Sequence, residues 1–236
     1  DTSDTARLTV TVEPGTYTHA KVLNVNTTAA GADVGATVTG FPLLVRLDAS
    51  SGIFDNALPN GQDLRFFKRD SVTMLPYEIE SWNATEKKAC IWVYADSIHG
   101  NAITTFVLKW GNPLAQPVSN AKAVFGERAF RGVWHLTNTA DASRFGNNGT
   151  RVGSPVDTLG VAGGAIAFDG WQAAINAGRN PSLAPSDAIT ISVWAYRPDA
   201  TRFGWLINMG ATAGSPGYAF ASEEKGVLLT EFQNEQ

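Results

Sequence analysis

Residues 130–170 read FRGVWHLTNTADASRFGNNGTRVGSPVDTLGVAGGAIAFDG. A short apolar strand over 132–136 (GVWHL) is expected first, then a polar loop dense in Asp, Ser, Gly and Asn. A Gly-rich turn comes next and feeds a second apolar strand that ends in Asp169-Gly170. Small and amide residues supply positive-φ turns and local side-chain hydrogen bonds, which predicts an ordered loop. Strand, turn and strand, without helical periodicity, is the pattern from which the rest of the chain is read.

The same punctuation runs along all 236 residues. Gly (23) and Pro (11) interrupt short runs enriched in Val, Ile, Phe, Tyr and Trp, which favours strands joined by turns over helices. Strands are expected over 19–26, 41–47, 63–69, 78–82, 88–94 and 104–110, with at most a helical turn near 54–58. Residues 8–13 alternate Leu8, Val10 and Val12 against Thr9, Thr11 and Glu13, one further half-buried strand before Pro14-Gly15. Residues 189–197 alternate Ile189, Ile191, Val193 and Ala195 against Thr190, Ser192, Trp194 and Tyr196. The Ala/Pro/Ser/Asn-rich stretch 114–126 is the expected linker. The fold class expected is therefore all-β, with two consecutive β-sandwich domains.

Composition excludes several function classes. Hydrophobic residues make up 44% and charged residues 17%, so the chain can bury real cores. A net charge of −4 disfavours nucleic acid and anionic membrane surfaces as partners. No apolar run approaches the roughly 20 residues of a membrane helix, so no membrane insertion is expected in this segment. The start at Asp1 reads as an excised piece, with the targeting segment, if any, lying outside it. The single cysteine, Cys90, lies in an apolar strand (KACIWVYA) and reads as an inert, buried thiol.

Candidate chemistry is sparse. Glu78 and Glu80 are two apart on a strand, and paired carboxylates are what a retaining glycosidase uses. Asn83 stands where a third, proton-donating carboxylate would be needed, so the pair reads as a solvated strand face and no catalytic residue is assigned. His19, His99 and His135 lack ligand spacing for zinc, and no nucleophile elbow or phosphate loop is present. Asp141, Ser143, Asn147 and Asn148 form a hard-oxygen cluster, with Asp169 at the end of a nearby strand. Asp141, Asn147 and Asp169 are the candidate ligands of a structural calcium, the alternative being turn residues that bond their own backbone. Trp171, beside Gly170 and Gln172, is the best candidate for a ring stacking on a sugar, with Trp205 and Tyr218 in later strands. A core position is the other reading for each of these rings, and Trp134 and Trp194 are assigned to the core.

Two resemblances rest on ordered motifs. FPLLVRLD, GQDLRFFKRD, LPYEIESW, ACIWVYAD and FVLKWGNP, over 17–125, resemble the bacterial domain of unknown function 2341. That resemblance implies a β-sandwich of secreted or envelope multidomain proteins, some related to proton-channel transport proteins, and no known activity. GVWHL, DASRFGNNGT, GGAIAFDG, ITISVWAYRPD, GWLINMG and GYAFA resemble the amino-terminal part of a laminin-G-like, concanavalin-type jelly roll. It implies two sheets packed face to face, often with a calcium, and here a domain that stops short of its full strand set. The expected division is 1–14 as the last strand of an immunoglobulin-like repeat (or the first strand of the adjoining sandwich), 15–126 as the first sandwich, and 127–236 as a partial jelly roll. The function expected is a non-catalytic, extracellular or envelope module recognising a glycan or another envelope component. A structural spacer presenting another domain is the alternative, and a glycoside hydrolase is disfavoured.

Overall fold

The computed structural model describes residues 15–126, 130–185, 188–199, 203–210, 217–222 and 228–233. The strand expected over 8–13 lies outside the described residues. The chain divides into two units, Asp1–Val124 and Phe125–Gln236, and it is all-β.

The first unit contains β1 (His19–Asn26), β2 (Val38–Leu47), β3 (Arg65–Lys68), β4 (Met74–Leu75), β5 (Tyr77–Asn83), β6 (Lys88–Ile98) and β7 (Ile103–Trp110). They form two antiparallel sheets, ordered β1-β7-β3-β4 and β2-β6-β5. Every strand expected between residues 19 and 110 is present, and β4 is an addition. Alternation explains the pairing of faces. Along β6, Ala89, Ile91, Val93 and Ala95 are buried while Cys90, Trp92 and Tyr94 point the other way, half-buried. Phe66 and Leu108 meet them from the opposite sheet in one continuous core.

A β-bulge in β5 corrects a conflict between sequence and face. Ile79 pairs with Ile91 and Ser81 with Cys90, leaving Glu80 as the extra residue. Tyr77 and Ile79 face the core at odd positions, and the inserted residue lets Trp82, an even position, join them. There Trp82 packs on Phe54, ring centroids 4.5 Å apart, and lies over Gly61. Gly61 has φ +64°, and a Cβ would stand 2.7 Å from that indole, so glycine is required twice over.

Two buried charges organise one end of this sandwich. Asp63 accepts hydrogen bonds from Leu58 N (2.8 Å) and Gly111 N (2.7 Å). Arg65, 1% exposed, donates to the carbonyls of Gln62 (2.9 Å), Leu64 (2.7 Å) and Gln116 (2.6 Å) and to the Tyr77 hydroxyl (3.2 Å). The stretch expected as a linker is therefore not a loose tether. Ala115 is buried, Ser119 Oγ accepts from Ile79 N, and Asn120 N donates to Tyr77 O, so the chain covers the edge of β5 before α1 (Ala121–Phe125).

The second unit contains β8 (Thr150–Val152), β9 (Val156–Leu159), β10 (Gly164–Ala167), β11 (Ala174–Asn176), β12 (Gly204–Met209), β13 (Gly217–Ser222) and β14 (Leu228–Gln233). Three antiparallel sheets result: β9-β10, β8-β11 and β12-β13-β14. Two expected strands do not form. Residues 132–136 give their backbone to the loop instead of a ladder: Val133 N donates to the Asp141 carboxylate, Val133 O accepts from Ala142 N, and Leu136 takes φ +60°. Residues 189–197 lie outside any strand although they alternate cleanly. Alternation makes a strand only where a neighbour completes the hydrogen-bond ladder, and no described strand pairs with this segment. Trp194, expected in the core, is accordingly 77% exposed. Trp134 is half-buried, its ring over Gly132 and its Nε1 donating to Asn147 O (3.0 Å).

Candidate ligand-recognition site

The exposed run 168–172 lies between β10 and β11. Asp169 Oδ1 accepts hydrogen bonds from three successive backbone amides, Trp171 N (2.8 Å), Gln172 N (3.0 Å) and Ala173 N (2.9 Å). Gly170 takes φ +77°, which lets the backbone curl around that carboxylate. A second turn abuts this one. Gly153 has φ +67°, and a Cβ on it would stand 2.9 Å from Gln172 O, so a side chain there would push the two turns apart. The result is an indole held out from an ordered turn, with Trp171 80% exposed.

The three amide donors, led by that of Ala173, hold the Asp169 carboxyl below its usual value. A carboxylate with a depressed pKa stabilises the folded turn above its unfolded pKa, and that contribution is lost as pH falls through the folded value. Below about pH 4, amide exchange at Trp171, Gln172 and Ala173 is expected to accelerate relative to the β12-β13-β14 sheet. Equal protection of these amides at pH 6 and pH 3, after correction for intrinsic exchange rates, would refute the role given to Asp169.

The other candidate rings are arranged differently. Trp205 pairs with Ala221 and Tyr218 with Met209, at opposite ends of the β12–β13 pair, so the two do not lie side by side. Trp205 is partly exposed and meets Phe203 edge-on at 4.8 Å. Tyr218 is half-buried, and burial pushes its phenol pKa up.

Asp141 and Asn147 come together as expected, but with protein donors in the places a cation would need. Asp141 Oδ1 accepts from Val133 N and Ser143 N, both at 2.8 Å. Its Oδ2 accepts from Ser143 Oγ and Asn147 N, both at 2.7 Å. Four donors fill the lone-pair directions of one carboxylate. Asn147 Nδ2 donates to Arg131 O and Ser182 Oγ, while Asn148 Oδ1 accepts from Asp141 N. Asp169 lies apart in its own turn, where its Oδ1 accepts the three backbone amides. Among the described residues no group of three or more His, Cys, Asp or Glu side chains is placed to hold a metal. This donor set does not fit calcium, and it does fit a loop locked by its own side chains.

Glu78 and Glu80 are not a solvated pair. Both are half-buried, Glu80 sits at the bulge, and its Oε2 accepts from Trp92 Nε1 at 2.5 Å. Trp92 is also the cross-strand neighbour of Glu78. Sequence reasoning missed Asp63 and Arg65 altogether. Their signal was two charges flanking Leu64 at the mouth of an apolar strand.

Comparison with known proteins bears on the first unit. Residues 60–131 match the model of a domain of unknown function, DUF2341, a span that holds β3 to β7. No curated protein and no solved structure matches the chain.

Proposed function

We propose that the chain is a non-catalytic recognition module of a secreted or cell-envelope protein, and that its second unit contacts a glycan or another envelope component through Trp171. The observation that carries this reading is the indole itself, 80% exposed yet mounted on a turn fixed by three hydrogen bonds and two positive-φ glycines. An exposed ring on a fixed backbone can stack on the apolar face of a pyranose without the cost of ordering the turn that carries it. A spacer role is favoured by a different observation, the charge-clamped, edge-covered first sandwich.

A glycan array probed with the full chain separates the two. Binding is expected to fall about tenfold or more in Trp171→Ala, equivalent to about 1.4 kcal/mol of stacking. Because the side chain is exposed, that variant should melt with the parent. Hits unchanged by the substitution would remove Trp171 from the site, and silence across the array favours the spacer.

A further inference from the structure

We infer that the ligand of the Trp171 site is an electrically neutral saccharide; this rests on the recognition reading above and narrows it to a chemical class. The segment from Thr150 to Asn176, which spans β8 to β11 and both abutting turns, contains only three charged residues: Arg151, Asp157 and Asp169. Each has a partner within the protein. Arg151 pairs with the Asp157 carboxylate and donates to Pro155 O. Asp169 faces the amides of its own turn.

Within this segment the single cation, Arg151, is already paired with Asp157, which weakens its pull on a uronate, sulfate or phosphate. The local formal charge, one positive against two negative, adds repulsion to such groups. What the turn does present is an exposed indole and, next to it, the exposed residue Gln172 with its amide side chain. An amide both donates and accepts, which suits the hydroxyl and acetamido groups of an uncharged sugar. A ring for the apolar face and an amide for the polar rim recognise a neutral pyranose without any ion pair. Arg151 would meet an anionic ligand with its charge already offset by Asp157.

The test uses the full chain in calorimetric titrations with two sets of hexasaccharides. One set is neutral, built of glucose, mannose or N-acetylglucosamine. The other is oligogalacturonate and a sulfated oligosaccharide of similar length. The expected result is a neutral ligand bound at least about tenfold more tightly than either anion. Its affinity should change less than about twofold between 50 and 500 mM salt, because no ion pair is screened. Trp171→Ala should weaken that binding about tenfold or more, and Gln172→Ala about threefold to tenfold. Tighter, salt-sensitive binding of the anionic set that still needs Trp171 would overturn the neutral-ligand inference while leaving recognition at this site intact. Absence of any Trp171-dependent binding would instead overturn the recognition reading on which the inference rests.

Discussion

Replacing Arg65 with Met is expected to lower the stability of the first unit by about 2–4 kcal/mol, the cost of taking the shared donor from several buried or partly buried acceptors. Met fills much of the same volume but donates nothing. The buried Leu64 carbonyl and Tyr77 hydroxyl each lose a donor, and the partly buried carbonyls of Gln62 and Gln116 lose the guanidinium they share. Gln116 belongs to the stretch that runs on to Ser119 and Asn120 at the edge of β5, so that edge loosens as well. Urea unfolding followed by the fluorescence of Trp82 and Trp110 should show an earlier transition. Hydrogen exchange should place the largest loss of protection at Ile79 and Asn120. A change below about 1 kcal/mol, the size of an ordinary surface substitution, would mean that the guanidinium holds the stretch in name only.

Asp141→Ala is expected to cost the second unit about 2–4 kcal/mol, because one buried carboxylate takes four donors and alanine takes none. The amides of Val133, Ser143 and Asn147 should lose most of their exchange protection together, since all three point at the same two oxygens. Equal loss in millimolar calcium and in EDTA is the expected outcome, and it separates a loop locked by hydrogen bonds from one locked by an ion. A parent protein whose melting temperature rises with calcium, with the rise absent in Asp141→Ala, would restore the metal reading.

The polar cluster in residues 138–149 shows how far residue type alone carries. Asp, Ser and Asn close together in sequence do converge in space, as their spacing suggests. The same spacing serves a cation or a set of backbone amides equally well. Which of the two applies depends on where Val133 N and Asn147 N point, and neither direction is encoded in the spacing of the side chains. Glu78 and Glu80 make the parallel case. Their separation of two predicts a shared face, but the bulge makes Glu80 the extra residue of β5 and brings its carboxylate to the Trp92 indole.

Runs rich in β-branched and aromatic residues between Gly and Pro turns by themselves determined that the chain is all-β and where β1, β2, β3, β5, β6 and β7 lie. The glycine beside Trp171 likewise announced the exposed turn on which that ring sits. These are local properties, set by the period-2 geometry of strands and by the conformational freedom of glycine. The tertiary structure alone decided that Asp63 and Arg65 are buried clamps and that the stretch after β7 binds the edge of β5. It also decided that Trp194 stands in solvent, although its segment alternates as regularly as β6. The physical reason is common to all three: a strand's ladder, a buried charge's acceptors and a side chain's cover come from residues distant in sequence. A local pattern states what a segment could pair with, and only the folded chain supplies the partner.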